Sequence, residues 1–161
     1  MSDSKPEPKI PTLYEWVGGK PALEKLTAVF YDKVFRDPML SPVFAQMGPE
    51  HPKHVAAFIG EVFGGPDDFS RQHGSHAGMI VKHLGKHLTQ EQRRRWMELL
   101  MLSADEIGMP DDPEFRSAFV GYIEWGSRLA VINSQPGVVP PPSDSPMPKW
   151  GWGEVKGPYQ G

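Results

Sequence analysis

Residues 58–96 read FIGEVFGGPDDFSRQHGSHAGMIVKHLGKHLTQEQRRRW, and the fold turns on how this stretch is read. An apolar helix end (Phe58, Ile59, Val62) is broken by Gly64-Gly65-Pro66. A loop rich in Asp, Ser and Gly is expected to follow, to about Gly74. Three of the six histidines come in quick succession, His73, His76 and His83, with a fourth at His87. A short helix over residues 76–83, limited by Gly85, would put His76, Met79 and His83 on one side. Thr89-Gln90-Glu91-Gln92 is a capping box: the Thr hydroxyl satisfies a free amide, and Gln92 reaches back to the cap. A cleanly started helix follows. A histidine-rich linker between two amphipathic helices leaves backbone groups without ladder partners, so its burial needs a reason.

Spacing alone leaves that reason open. His83 and His87 have the four-residue spacing that can pinch zinc on a helix. Gly85 lies between them, however, and no carboxylate is placed to complete the set. A solvated loop without a ligand is the simplest reading of these histidines by themselves.

Outward from the stretch, the chain is helical in pattern. Residues 12–17 form a short amphipathic turn stopped by Gly18-Gly19, and Pro21 suits the first turn of a helix. Leu23, Leu26, Phe30 and Val34 recur at three- and four-residue intervals, the stripe of a helix facing a core, with Tyr31 beside it. Asp37-Pro38 ends that helix, because the residue before proline avoids helical geometry. Residues 38–44 make a tight apolar connector, and residues 47–52 hold further breaks. A helix from near Pro52 presents Val55, Phe58, Ile59 and Val62, and His51 joins that face if the helix extends back to it. Beyond Thr89, one face carries Trp96, Leu99, Leu100, Ser103, Ala104 and Ile107, closed by Gly108 and Pro110. Asp112-Pro113 starts the last helix, with Phe115, Phe119, Tyr122, Gly126 and Leu129 as its stripe and an end near Asn133. No segment alternates with period two. The expected fold class is all-α, with about five helices and a long non-helical insert in the middle.

The 161 residues suffice for one domain with a real core. A net charge of -3 gives no electrostatic footprint for nucleic acid or an anionic membrane. The absence of cysteine excludes disulfides, thiolate metal sites and a cysteine nucleophile, and suits a reducing cytoplasm. No apolar run approaches membrane-spanning length. The polar start, MSDSKPEPKIP, lacks an apolar signal core, so a cytoplasmic protein is expected. Phosphate-cradling Gly loops, a Gly-x-Ser-x-Gly elbow and a His-Glu-x-x-His motif are all missing. Pro and Gly crowd the C-terminal VVPPPSDSPMPKWGWGEVKGPYQG, which is too poor in apolar residues to repay its ordering entropy by itself. The expected layout is a flexible arm over residues 1–11, a folded domain over 12–134 and a Pro/Gly/Trp-containing extension over 135–161. That extension reads as a mobile terminus. Its Trp150, Trp152 and Tyr159 offer the alternative of docking on the domain or on a partner.

Taken together and in order, these features resemble the truncated haemoglobins, most of all the second group of that family. The resemblance spans residues 13–134. It is carried by Val17-Gly18-Gly19, Phe30-Tyr31, Asp37-Pro38 leading to Phe44, Phe63-Gly64-Gly65-Pro66, His83-Leu84 six residues before Thr89, and Trp96. It implies a truncated globin, a two-over-two helical sandwich around a haem b. It implies that His83 is the iron ligand, with its other ring nitrogen held by a backbone carbonyl or water. Tyr31 and Trp96 match donors toward a diatomic ligand, and Phe44 matches the aromatic at the haem edge. Val55 and Phe58 match the distal wall, and His51 the distal gate. His54 and Lys82 match positions that face the haem propionates. A one-residue shift in the connector after Phe44 would exchange His51 for His54 at the gate. The segment before His83 is longer than in the family, which makes His76 the competing ligand. His83 is preferred because it keeps the family distance to Thr89 and Trp96.

The resemblance implies binding of dioxygen, or of NO or CO, at a five-coordinate iron, in a carrier, store or sensor that is a monomer or homodimer. The alternative is a redox enzyme using the same iron, for nitric oxide dioxygenation or peroxide reduction, with electrons from an external reductase. An alternative of another class is a haem-free helical interaction module with the tryptophan-bearing tail as its contact.

Overall fold

The apolar stripes read above become helices in a computed structural model that describes residues 9–158. Tyr159 and residues 1–8 lie outside the described residues. The helices are α1 (Leu13–Val17), α2 (Gly19–Arg36), α3 (His51–Val62), α4 (Asp68–Gln72), α5 (His76–Val81), α6 (Gln90–Glu106) and α7 (Pro113–Asn133), with a 3-10 turn at Gly153–Val155. No strand occurs among the described residues. Leu23, Leu26, Phe30 and Val34 of α2 are fully enclosed, as are Val62 and Phe63 at the end of α3 and Phe115 and Phe119 of α7. Each such side chain contributes roughly 1.5–3 kcal/mol by leaving water. α2 packs against α3 and α6, and α6 packs against α7.

Side-chain caps fix the helix starts. Thr89 and Gln92 form the capping box at α6, and the Asp112 side chain accepts the amide of Phe115 at α7. Thr12 and Glu15 make a second capping box at α1, which the sequence reading passed over. At the end of α2, the buried Asp37 carboxylate accepts the amides of Met39 and Leu40 at 3.0 and 3.1 Å and Arg95 Nε at 2.6 Å. Burial pushes this carboxyl upward, but the Arg95 and amide hydrogen bonds outweigh it and hold the group below its ordinary range. The connector that carries Phe44 is thereby tied to α2 at one end and to α6 across the fold.

Three features differ from the sequence reading. α3 begins at His51 itself, with Pro52 in its first turn, so His51 does lie on the helix. The segment expected as a loop to Gly74 contains α4. Its Phe69 is buried edge-on to Phe58 at 5.0 Å, and Ser70 donates through its amide and hydroxyl to the buried Glu61 carboxylate. A five-residue helix shows no periodicity, and what stabilises this one is tertiary. Finally, residues 135–158 are seated on the domain: the Trp150 amide donates to the Val62 carbonyl at 2.9 Å, and Trp152 Nε1 donates to the Pro11 carbonyl at 2.8 Å.

The Gly64-Gly65-Pro66 break has a steric cause. Gly64 sits at φ 94°. A Cβ on Gly65 would lie 2.6 Å from Tyr14 Cδ2 and 2.8 Å from the Gly60 carbonyl oxygen. The end of α3 and the ring of α1 can therefore meet only over a bare backbone. Gly65→Ala is expected to lower the denaturant midpoint by the equivalent of about 1–3 kcal/mol with an unchanged slope. A wild-type midpoint would show that Tyr14 can move aside.

Candidate functional site

The stripes of α3, α6 and α7 do not close completely on one another. They leave a mainly apolar cavity of about 540 Å3, within the roughly 300–1,000 Å3 usual for small-molecule sites. All nine residues singled out from the sequence line it: Tyr31 from α2, Phe44 from the connector, His51, His54, Val55 and Phe58 from α3, Lys82 and His83 after α5, and Trp96 from α6.

His83 is placed by its own helical turn. Ser75 caps α5 by accepting the Gly78 amide, and His83 Nδ1 lies 2.9 Å from the carbonyl of Met79. A carbonyl can only accept, so Nδ1 carries the proton and Nε2 keeps its lone pair. Burial lowers the pKa of this imidazole, with Lys86 and Lys82 adding to the effect and the Met79 hydrogen bond opposing it. The ring is thus a neutral imidazole with one uncommitted nitrogen, the form that ligates a transition metal. The loop behind it is braced by α7. The His87 amide donates to the Ser134 carbonyl, the Leu88 amide to Ser134 Oγ, and Gln135 Nε2 to the Leu88 carbonyl.

Tyr31 and His51 make the polar pair of the cavity, with Oη and Nε2 3.1 Å apart. Tyr31 is 4% exposed, and burial raises its phenol well above the ordinary value, so it stays protonated. His51 is pushed down to about 4 by burial first, then by Lys82, His54 and His83. Both partners are therefore neutral at pH 7. The rings of Phe30, Phe44 and His51 meet Tyr31 edge-on at 4.9, 5.7 and 5.2 Å and fix its position. Trp96 packs edge-on against Phe30 at 5.7 Å. His54 instead stacks its ring on His73 at 4.2 Å, so His51 is the histidine brought to Tyr31.

Several lining residues were missed. Ile80 and Lys86 flank His83 and share its short, weakly periodic segment, whereas Met79, read on the same side as His83, does line the cavity with it. Gly126 and Leu129 were read as core stripe, yet they face the cavity. Arg93 is buried at 7% exposure and pairs with Glu124 at 3.0 Å, a burial that a charged residue does not advertise in sequence. His76 also lines the cavity, and its buried Nδ1 has no hydrogen-bond partner among the described residues.

The family model of bacterial-like globins matches residues 12–121. The chain belongs to the bacterial-like globin family. A group 2 truncated haemoglobin of Bacillus subtilis is 28% identical over 122 residues, covering 76% of this chain and 89% of its own. The group II truncated haemoglobin of Bacillus anthracis superposes with a TM-score of 0.69 at 23% identity, covering 81% of this chain and 99% of its own. A truncated oxygen-avid haemoglobin of Bacillus subtilis superposes with a TM-score of 0.67 at 27% identity, covering 75% and 99%. This globin is thus a truncated haemoglobin with the two-over-two helical arrangement. Family membership carries haem-based ligand binding with it.

The cavity fits that group. Its walls are largely apolar, and one neutral imidazole offers a free nitrogen. Lys82 and Lys86 supply cations at the wall, and the orphaned His76 Nδ1 is a polar atom awaiting a partner.

His51, His54, His76 and His83 all have lowered pKa values, with burial as the first cause in each. The unfolded chain therefore binds protons that the folded one refuses. The stability of the haem-free globin should be complete above about 6.5 and be lost progressively as pH falls toward about 4. Melting temperatures measured across that window should drop, and His51→Phe should flatten the drop. A flat wild-type profile would contradict the neutral-histidine assignment.

Proposed function

We infer that this globin is a cytoplasmic haem b protein that binds dioxygen and other diatomics such as NO and CO, for oxygen binding, transport or sensing. The observation that carries the reading is the Met79 carbonyl on His83 Nδ1, which commits one nitrogen and leaves Nε2 for the iron. When bound, haem supplies an iron with one position open to a diatomic ligand. His83 holds and orients that group from a ring kept neutral by burial. Tyr31 keeps its phenol proton, and its O–H would point a hydrogen bond toward the ligand whenever it is not engaged with His51 Nε2. His51 stands beside it as the gate. Trp96 can only donate through its indole nitrogen. Phe44, Val55 and Phe58 exclude water, and His54 and Lys82 sit where carboxylates are favoured. Among the described residues no helix is long and apolar enough to cross a membrane.

A redox role in nitric oxide dioxygenation or peroxide reduction is favoured by one feature. The Tyr31–His51 pair and Trp96 put three polar side chains into one apolar cavity. Donors that hold a ligand tightly suit chemistry better than delivery, and turnover would draw on an external reductase.

Reconstitution should give a Soret band that His83→Ala abolishes. Persistence of a five-coordinate spectrum in that variant would move the ligand to His76. Tyr31→Phe and Trp96→Phe should each speed oxygen release by about tenfold, as expected for loss of one hydrogen bond of about 1 kcal/mol or somewhat more. Unchanged release in both would remove them from the ligand's surroundings.

A further inference from the structure

Residues 135–158 run back along α7. Trp150 meets Trp125 at 5.6 Å and Tyr122 at 5.8 Å, whereas Trp152 meets Phe115 at 6.5 Å, so the segment ascends as α7 descends. The Trp150 ring lies over Gly121, where even a Cβ would stand 3.4 Å from Cζ2. Its amide is bonded to Val62, Lys149 Nζ donates to the Glu61 carbonyl at 3.3 Å, and the Trp152 indole is bonded to Pro11. Just upstream of these anchors, Pro148 forms part of the wall of the main cavity. Gly126 of α7 also lines the cavity, and a Cβ on it would meet nothing within 4 Å, so α7 presents no side chain to the cavity at that position.

We propose that residues 135–158 are a strap that closes the α7 side of the cofactor cavity, with Pro148 as the wall and Trp150 and Trp152 as its anchors, and that the strap slows cofactor loss. This rests on the haem reading above. A group held largely by apolar contact leaves when a wall opens, and the strap is a wall element not built into a helix, as are the connector that carries Phe44 and the turn that carries His83. Proline suits that place because it brings no backbone N–H to an apolar surface and its φ is already restricted. Aromatic anchors on a helix face carry much contact area for little side-chain entropy.

The test is haem transfer from the loaded full-length protein to excess apomyoglobin, followed by Soret absorbance. Pro148→Ser and Trp150→Ala should each transfer about tenfold faster than wild type, the factor for losing one buried contact. Trp150→Phe, which keeps an aromatic ring over Gly121, should transfer more slowly than Trp150→Ala. Pro148→Ser should lower the melting temperature of the haem-free protein by no more than about 4 °C, the effect of freeing one residue of the unfolded chain. Normal Soret bands with unchanged transfer in both Pro148→Ser and Trp150→Ala would overturn the strap alone. Acceleration in Pro148→Ser that tracks a larger fall in haem-free melting would also overturn it, because the residue would then serve the fold and not the cavity. A full-length protein that shows no Soret band overturns the haem reading and the strap together.

Discussion

A cavity of about 540 Å3 inside so short a chain is the constraint on which the rest depends. Sealed and dry, at about 24 cal/mol per Å3, it would cost on the order of 10 kcal/mol, comparable with the whole stability of a domain. The fold is built to be completed by an occupant. Its helices accordingly serve two surfaces at once. On α2, Leu26, Phe30 and Val34 face a closed core, while the neighbouring Tyr31 faces the cavity. On α7, Phe115 and Phe119 close a core, while Gly126 and Leu129 further along open onto the cavity.

That division explains why the polar groups of the site are neutral. A cavity bounded by apolar helices raises the cost of any charge within it. Tyr31 keeps its proton and His51 refuses one for the same reason, and the cations Lys82 and Lys86 stay on exposed stretches of the wall. His83 is held by local means, an i to i−4 contact with the Met79 carbonyl, but the loop that follows needs help. Gly85 and His87 both take positive φ, at 74° and 52°, and bonds to Ser134 and Gln135 at the end of α7 hold that turn in place. The orientation of the histidine therefore depends on a residue about fifty positions away in sequence.

Most of the long helices were legible because their apolar residues recur with helical spacing and their caps are chemical: Thr89 with Gln92, Asp112 before Pro113. The residues of the site were legible only as a pattern in order, since no single histidine announces itself. What escaped was non-local. α4 exists because Phe69 finds Phe58 and Ser70 finds Glu61. Whether His51 or His54 would reach Tyr31 depended on the exact start of α3, and on the ring of His73 that engages His54 instead. Arg93 is buried because Glu124 arrives from another helix.

The C-terminal segment shows the same limit most sharply. Averaged over its length, its composition argues against order, because ordering costs about 1–2 kcal/mol of backbone entropy per residue. The average misleads for two physical reasons. Prolines at 140, 141, 142, 146 and 148 restrict the unfolded chain, so less entropy is lost on docking than in a flexible sequence. The contacts are also concentrated in Trp150 and Trp152, whose rings meet Tyr122, Trp125, Phe115 and Trp16, and whose N–H groups find carbonyls on residues far back in the chain. A few large aromatic anchors on a stiff tether can order a segment that a per-residue count would leave free. Those anchors find their sites only after α1, α3 and α7 have come together, which is why no local reading of the tail could place it.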